Sequence, residues 1–181
     1  MSFKNYGMPE GQGLSQNMEP AATTALAERI AARLNEDIPT AQIARGLKRY
    51  EANIQPNLVT MKVVGAVIST NYTVVQTFDN TYSFFGTKWA CKFTTTQDAD
   101  YLVNSLQIAN ETNLLTNSMP VSFLTQWTVN PLDFYLYVPA NANLSLNVTT
   151  GATTAVTTAY FTFFGYRVPT FVIDSIKKKQ R

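Results

Sequence analysis

AVTTAYFTFFGYRV, residues 155–168, is the stretch whose reading decides the fold. Tyr160, Thr162 and Phe164 alternate with Phe161, Phe163 and Gly165, so a strand through them is apolar or aromatic on both faces. A strand with one wet face would alternate apolar with polar. Two apolar faces predict a central strand, covered on both sides. Pro169 stops it, since proline has no N–H to give to a ladder. Beyond it, Phe171–Ile176 is expected to form a last edge strand.

Working back from that strand, Gly151 marks a turn, and Leu144–Thr149 alternates cleanly between apolar and polar. Pro139-Ala140-Asn141-Ala142-Asn143 reads as another turn, preceded by strands at Phe134–Val138 and Val121–Val129 with Pro131 between them. Asp98–Ala109 reads as a short helix capped by its acids, with Leu102, Leu106 and Ala109 facing inward, and a strand is the alternative. Lys88–Thr95 alternates, with Trp89, Cys91 and Phe93 on one face and Lys88, Lys92 and Thr94 on the other. Gly86 separates it from Thr81–Phe85, and Asp79-Asn80 is expected to close a hairpin with Tyr72–Phe78. Leu58–Ile68 is the first β-rich run. About eight short strands at near-regular spacing predict a mainly β chain, an antiparallel β-sandwich of jelly-roll type.

The N-terminal part reads differently. The first twenty residues lack periodicity and are rich in Gly, Asn, Gln and Met, which predicts an extended arm. Two short helices follow, at about Pro20–Asn35 and Thr40–Ala52. Pro20 suits a first helical position and Glu19 the positive end of the helix. Their apolar stripes are thin: Leu26, Ile30 and Leu34 on the first, Ile43, Leu47 and Tyr50 on the second. Gly46 weakens the second by about 1 kcal/mol relative to Ala. Helices this short gain their stability from packing. The six stripe residues are therefore candidates for an interface with another subunit. The expected division is an arm with helices over residues 1–56, a β-sandwich over 57–176 and a basic tail over 177–181.

Charge separates the same regions. Residues 57–176 hold six acids (Asp79, Asp98, Asp100, Glu111, Asp133, Asp174) and four bases (Lys62, Lys88, Lys92, Arg167). At the usual content of about 25%, roughly thirty charges would be expected. Thr, Asn and Ser replace them. Such a surface repels its own copies weakly, and packing it against a neighbour costs little ion desolvation. The net charge of +2 does not suit nucleic acid as a main partner. The cluster Lys177, Lys178, Lys179 and Arg181 reads as a solvated end, with nucleic-acid contact through it as the alternative. No apolar run reaches the ~20 residues of a membrane helix, and the N-terminus has no apolar signal core, so no membrane partner is expected and cytoplasmic synthesis is.

The chain contains no histidine and one cysteine, Cys91. That removes the commonest general base, the commonest transition-metal ligand and every Ser-His or Cys-His pair. A zinc site would need more ligands, a disulfide a second thiol. Asp98 and Asp100 are explained by helix capping, and nothing in the sequence brings Asp79 and Asp133 together as a glycosidase pair. No cofactor, metal or catalytic activity is expected. The four Asn-x-Thr/Ser sequons, at Asn71, Asn110, Asn143 and Asn147, read as products of composition. The aromatic residues read as core filling, with a glycan platform as the alternative.

The phrases Asp133–Asn143 (DFYLYVPANAN) and Phe161–Pro169 (FTFFGYRVP) are similar to strand–turn phrases of bacteriophage virion structural proteins. The order of arm, thin helices, low-charge sandwich and basic end resembles those proteins across most of the chain. What the resemblance implies is a minor capsid, decoration or vertex/connector component located in the virion, assembling through its N-terminal arm and low-charge β-sandwich with other virion proteins and copies of itself. The alternative function is a non-catalytic module that binds a glycan or receptor.

Overall fold

The computed structural model describes residues 18–34, 38–65, 69–94, 101–109, 114–115, 117–125, 132–151 and 157–178. In chain order the elements are α1 (Pro20–Leu34), α2 (Thr40–Arg49), β1 (Gln55–Gly65), β2 (Asn71–Thr77), β3 (Tyr82–Phe93) and β4 (Leu102–Ile108). Then come β5 (Met119–Pro120), α3 (Ser122–Thr125), β6 (Leu132–Val138), β7 (Asn143–Thr149), β8 (Thr157–Pro169) and α4 (Thr170–Lys178). The strands form two four-stranded antiparallel sheets, β1-β8-β3-β6 (sheet I) and β2-β7-β4-β5 (sheet II).

The sheets face each other across one core. Sheet I supplies Met61, Val63, Trp89, Cys91, Phe161 and Phe163, and sheet II supplies Val103, Leu106, Ile108, Leu144, Leu146 and Val148. Trp89 stacks on Phe163 with centroids 5.0 Å apart. β8 is the central strand its two apolar faces require, bonded to β1 on one side and β3 on the other. Its odd-numbered Phe161 and Phe163 fill the core between the sheets. Its even-numbered Tyr166 and Val168 point the opposite way, into a second core.

That second core lies on the outer face of sheet I. Phe85, Tyr137, Tyr166 and Val168 come from the sheet, Leu26 and Ile30 from α1, Ile43 and Leu47 from α2, and Val172, Ile173 and Ile176 from α4. The molecule is thus three layers: helices, sheet I, sheet II. Gly46 permits close approach of α4 to α2, because a Cβ there would sit 2.6 Å from Ile176 Cγ1. The residue that weakens α2 by propensity lets α4 pack on it.

Several elements differ from the sequence reading. Thr81–Phe85 and Lys88–Thr95 are largely one strand, β3, interrupted only by a bulge between Gly86 and Lys88. The bulge resets the alternation, so Phe84 and Trp89 both face the first core although they differ in parity. Gly165 lies opposite Gly86 at that point. A Cβ on Gly165 would run into the Phe85 carbonyl oxygen and come within 2.7 Å of Gly86 Cα.

Asp79-Asn80 does not close a hairpin. β2 belongs to sheet II and β3 to sheet I, and the connection carries the chain between them. Asp79 Oδ1 accepts hydrogen bonds from Thr81 N (2.8 Å) and Thr81 Oγ1 (2.6 Å), which fixes the corner. Residues 102–108 are a strand rather than part of a helix. Leu106 and Ile108 are buried while Leu102 is exposed, an inward–outward pattern with a register slip between Val103 and Ser105. Residues 95–100 and 110–113 lie outside the described ones. Val121–Val129 does not begin as a strand: Val121 and Leu124 are buried and Phe123 is exposed, the spacing of the helical turn α3; residues 126–131 lie outside the described ones. Phe171–Ile176 is helical too, because Val172, Ile173 and Ile176 must reach one face to cover Tyr166 and Val168.

Candidate interaction surfaces

The six residues expected to meet a neighbouring subunit are placed as follows. Leu26 (0% exposed), Ile30, Ile43 and Leu47 (1% exposed) are buried in the chain's own second core. Tyr50 is half-buried and meets Phe171 edge-on, with ring centroids 6.1 Å apart. The side chain of Leu34 lies outside the described residues. The stripe that needed cover finds it on sheet I and α4, because Phe85, Tyr137, Tyr166 and Val168 also need cover. β1 begins at Gln55, so helices and sheet share a core across the compositional boundary near residue 56. Lys177 and Lys178 form the last turn of α4, where cations oppose the negative helix end; Lys179 and Arg181 lie outside the described residues.

The reactive groups have structural surroundings. Cys91 is buried in the first core. Asp79 is occupied by Thr81, and those hydrogen bonds hold its carboxyl below the usual carboxylate range. Asp133 sits opposite Lys88, whereas Asp79 precedes the far end of the same β3–β6 pair, where Phe84 meets Val138. Five residues at about 3.3 Å each separate those ends, beyond the span of roughly 5–10 Å over which two carboxylates cooperate on one glycosidic bond. Among the described residues no group of three or more His, Cys, Asp or Glu could hold a metal ion. No described helix is long and apolar enough to cross a membrane. A groove of about 460 Å³ between α1 and α2 is lined by Met18, Pro20, Ala44 and Leu47 together with Arg45 and Lys48.

Two open surfaces stand out by chemistry. The first is the outer face of sheet II, formed by Asn71, Thr73, Val75 and Thr77 of β2, Asn143, Ser145, Asn147 and Thr149 of β7, and Asn104 and Gln107 of β4. None of these side chains is charged. Asn104 is the hub: its Nδ2 donates to Asn147 Oδ1 (2.9 Å) and Thr149 Oγ1 (2.6 Å), and its Oδ1 accepts from Ser118 Oγ (3.3 Å). Asn147 Nδ2 donates to Thr73 Oγ1 at 2.9 Å, and Thr149 Oγ1 donates to Asn71 Oδ1. Three of the sequons lie here. Their i, i+2 spacing sets both polar residues on one strand face, the signal that marked this surface in the sequence.

The second surface is the edge of sheet I at β1. Leu58 (55% exposed) and Val64 (45% exposed) project outward on the same face as Thr60 and Lys62. Thr60 Oγ1 and Thr162 Oγ1 share a hydrogen bond of 3.2 Å across the β1–β8 ladder. Phe123 (58% exposed) and Phe171 are further exposed rings. The aromatics read as core filling include Trp89, Phe84, Phe161 and Phe163, all fully buried. Set against protein-family models, characterised proteins and solved structures, the chain matches none of them.

Proposed function

We propose that the two sheets form a jelly roll and that the protein is a structural component of a virion, of minor capsid, decoration or vertex/connector type. The observation that carries this reading is the pairing of first with last throughout: β1 with β8, β2 with β7, β3 with β6, β4 with β5. Such pairs are those of one long antiparallel ribbon, and the further pairings β3–β8 and β4–β7 roll it into two sheets. Every connection except β4–β5 passes from one sheet to the other. Viral capsid proteins, lectins and cupins use this architecture, so topology alone does not choose among them.

Surface chemistry favours the virion reading. A cupin-type metal site draws on histidine, which this chain does not contain. A lectin platform needs a cluster of exposed rings; Trp89, Phe161 and Phe163 are inside, and the exposed Phe123 and Phe171 lie on separate elements, α3 and α4. What is exposed is a neutral amide and hydroxyl face, suited to permanent contact with other protein. Among the described residues the sandwich offers the assembling surfaces, since α1 and α2 cover sheet I of their own chain; the expected arm before Met18 lies outside them. Size-exclusion chromatography with light scattering on the full chain, together with co-purification with assembled particles, tests this. The expected results are a multimer and recovery in the particle fraction. A monomer absent from particles that titrates with a glycan defeats the proposal in favour of a binding module.

A further inference from the structure

We propose that β1 is an assembly edge: two copies of the chain pair their β1 strands antiparallel about a two-fold axis at Met61, joining their helix-backed sheets into one. This rests on the assembly reading above and names its surface. Sheet I ends at β1, which is bonded to β8 on one side, and among the described residues no strand lies on the other. At eleven residues it is long for an edge, where strands typically run about 5–6. A long open edge is a template for another strand.

The register identifies a second copy as the occupant. Residues opposite each other in an antiparallel pair share a face. A two-fold axis normal to the sheet keeps each face on its own side, so each residue can oppose only residues of its own parity. The axis must therefore pass through a residue. At Lys62 it would set the two lysines against each other, a destabilising like-charge pair. At Thr60 it would set Lys62 against Leu58 and bring Pro56, which has no N–H, into the ladder.

At Met61 these conflicts vanish. Leu58 of each copy lies opposite Val64 of the other, so the exposed apolar pair is matched twice. Thr60 faces Lys62, Val59 faces Val63, and Pro56 falls outside a ladder running from Asn57 to Gly65. The helices sit beyond the other end, where Ile54 is buried in the second core, and leave Leu58 to Val64 open. Of the three central registers, the one at Met61 makes the strand self-complementary, with its single charge displaced from the axis.

Sedimentation of the full-length chain over a range of concentrations tests the pairing. Unaltered protein is expected to show a dimer step. Leu58→Lys or Val64→Glu alone is expected to weaken it about tenfold, because the symmetric contact loses the pair twice. Leu58→Lys combined with Val64→Glu is expected to restore it, since each new cation then faces a new anion of the other copy. Within one chain the two positions are about 20 Å apart along the strand, so no intrachain pair produces this rescue. Hydrogen exchange on the unaltered chain adds a readout free of substitutions: amides of residues 57–65 are expected to gain protection as concentration rises. A chain that remains monomeric throughout overturns the pairing. One that assembles but ignores both single variants overturns it too, while leaving the assembly reading intact. A dimer that obeys the charge pattern yet never enters particles upholds the pairing and defeats the virion reading.

Discussion

The two outer faces of the sandwich solve one problem in opposite ways. Sheet I presents Phe85, Tyr137, Tyr166 and Val168 outward and covers them with α1, α2 and α4. Sheet II presents Asn71, Thr73, Asn104, Asn147 and Thr149, which bond to one another and, among the described residues, carry no helix. Both faces satisfy the rule that apolar surface is buried and polar groups are partnered. The difference teaches where the chain is closed and where it is open. The helical layer makes sheet I an interior wall, whereas sheet II meets the surroundings directly with neutral groups.

The hardest blow to this contrast falls on the wall itself. Gly165→Ala puts a methyl into the Phe85 carbonyl and the Gly86 backbone, neither of which is a flexible side-chain end. The expected loss is about 4 kcal/mol or more, read as collapse of the cooperative urea transition. Next come the helices. Ile43→Ala and Leu47→Ala are each expected to cost about 2–5 kcal/mol and to raise dye binding as Phe85 and Tyr166 are uncovered. Thr73→Ala on sheet II stays within about 0.5 kcal/mol. If the helix substitutions cost as little, or their cost vanishes on dilution, the helices cover something other than their own sheet.

A double-mutant cycle on Gly46 and Ile176 sharpens the closed side. Gly46→Ala gains about 1 kcal/mol of helix propensity, but the overlap with Ile176 is expected to cost about 1–3 kcal/mol. The net is a modest loss in the native background and a gain once Ile176→Ala makes room. Equal effects in both backgrounds would show that the α2–α4 contact is not as drawn. On the open side, removing the hub by Asn104→Ala is expected to cost about 1 kcal/mol by denaturant titration. A neutral result would make the amide network decorative.

The smallest effect concerns the corner that takes the chain from one sheet to the other. The folded Asp79 carboxyl is held below its usual value of 3.8 by the Thr81 hydrogen bonds, with Arg167 adding to it. A lowered folded value means that its contribution is fully present above about pH 4 and is lost as pH falls through the folded value. Asp79→Asn should therefore flatten the acid limb of the stability–pH curve slightly. An unchanged limb would remove the corner from the account.

What the sequence revealed depended on how a side chain's neighbours are specified. β8 and β7 were legible because alternation fixes faces locally: Phe161 against Tyr160, Leu144 against Asn143. The segment at residues 102–108 was not, since Leu102 and Leu106 fit one helical face as well as one strand parity, and a bulge blurred the difference. Phe171–Ile176 failed likewise, because a six-residue apolar run carries no decisive period. The helix stripes announced that Leu26, Ile30, Ile43 and Leu47 would be covered. They could not say by what, because Phe85, Tyr137, Tyr166 and Val168 become an outer apolar patch only after the strands are ordered. The neutral face of sheet II was present as Asn-x-Thr spacing and passed as composition.

The nesting of first strand with last has a temporal side. Gln55 meets Arg167 and Gly65 meets Thr157, so the centre of sheet I cannot exist until β8, about a hundred residues after β1, has been synthesised. Until then Phe85 has no β8 beside it. Closing such distant contacts is slow, and folding in milliseconds to seconds rather than microseconds is the expected consequence. A ribosome-tethered chain lacking residues 157–178 should remain soft and protease-sensitive, and emergence of that segment should be the event that sets it.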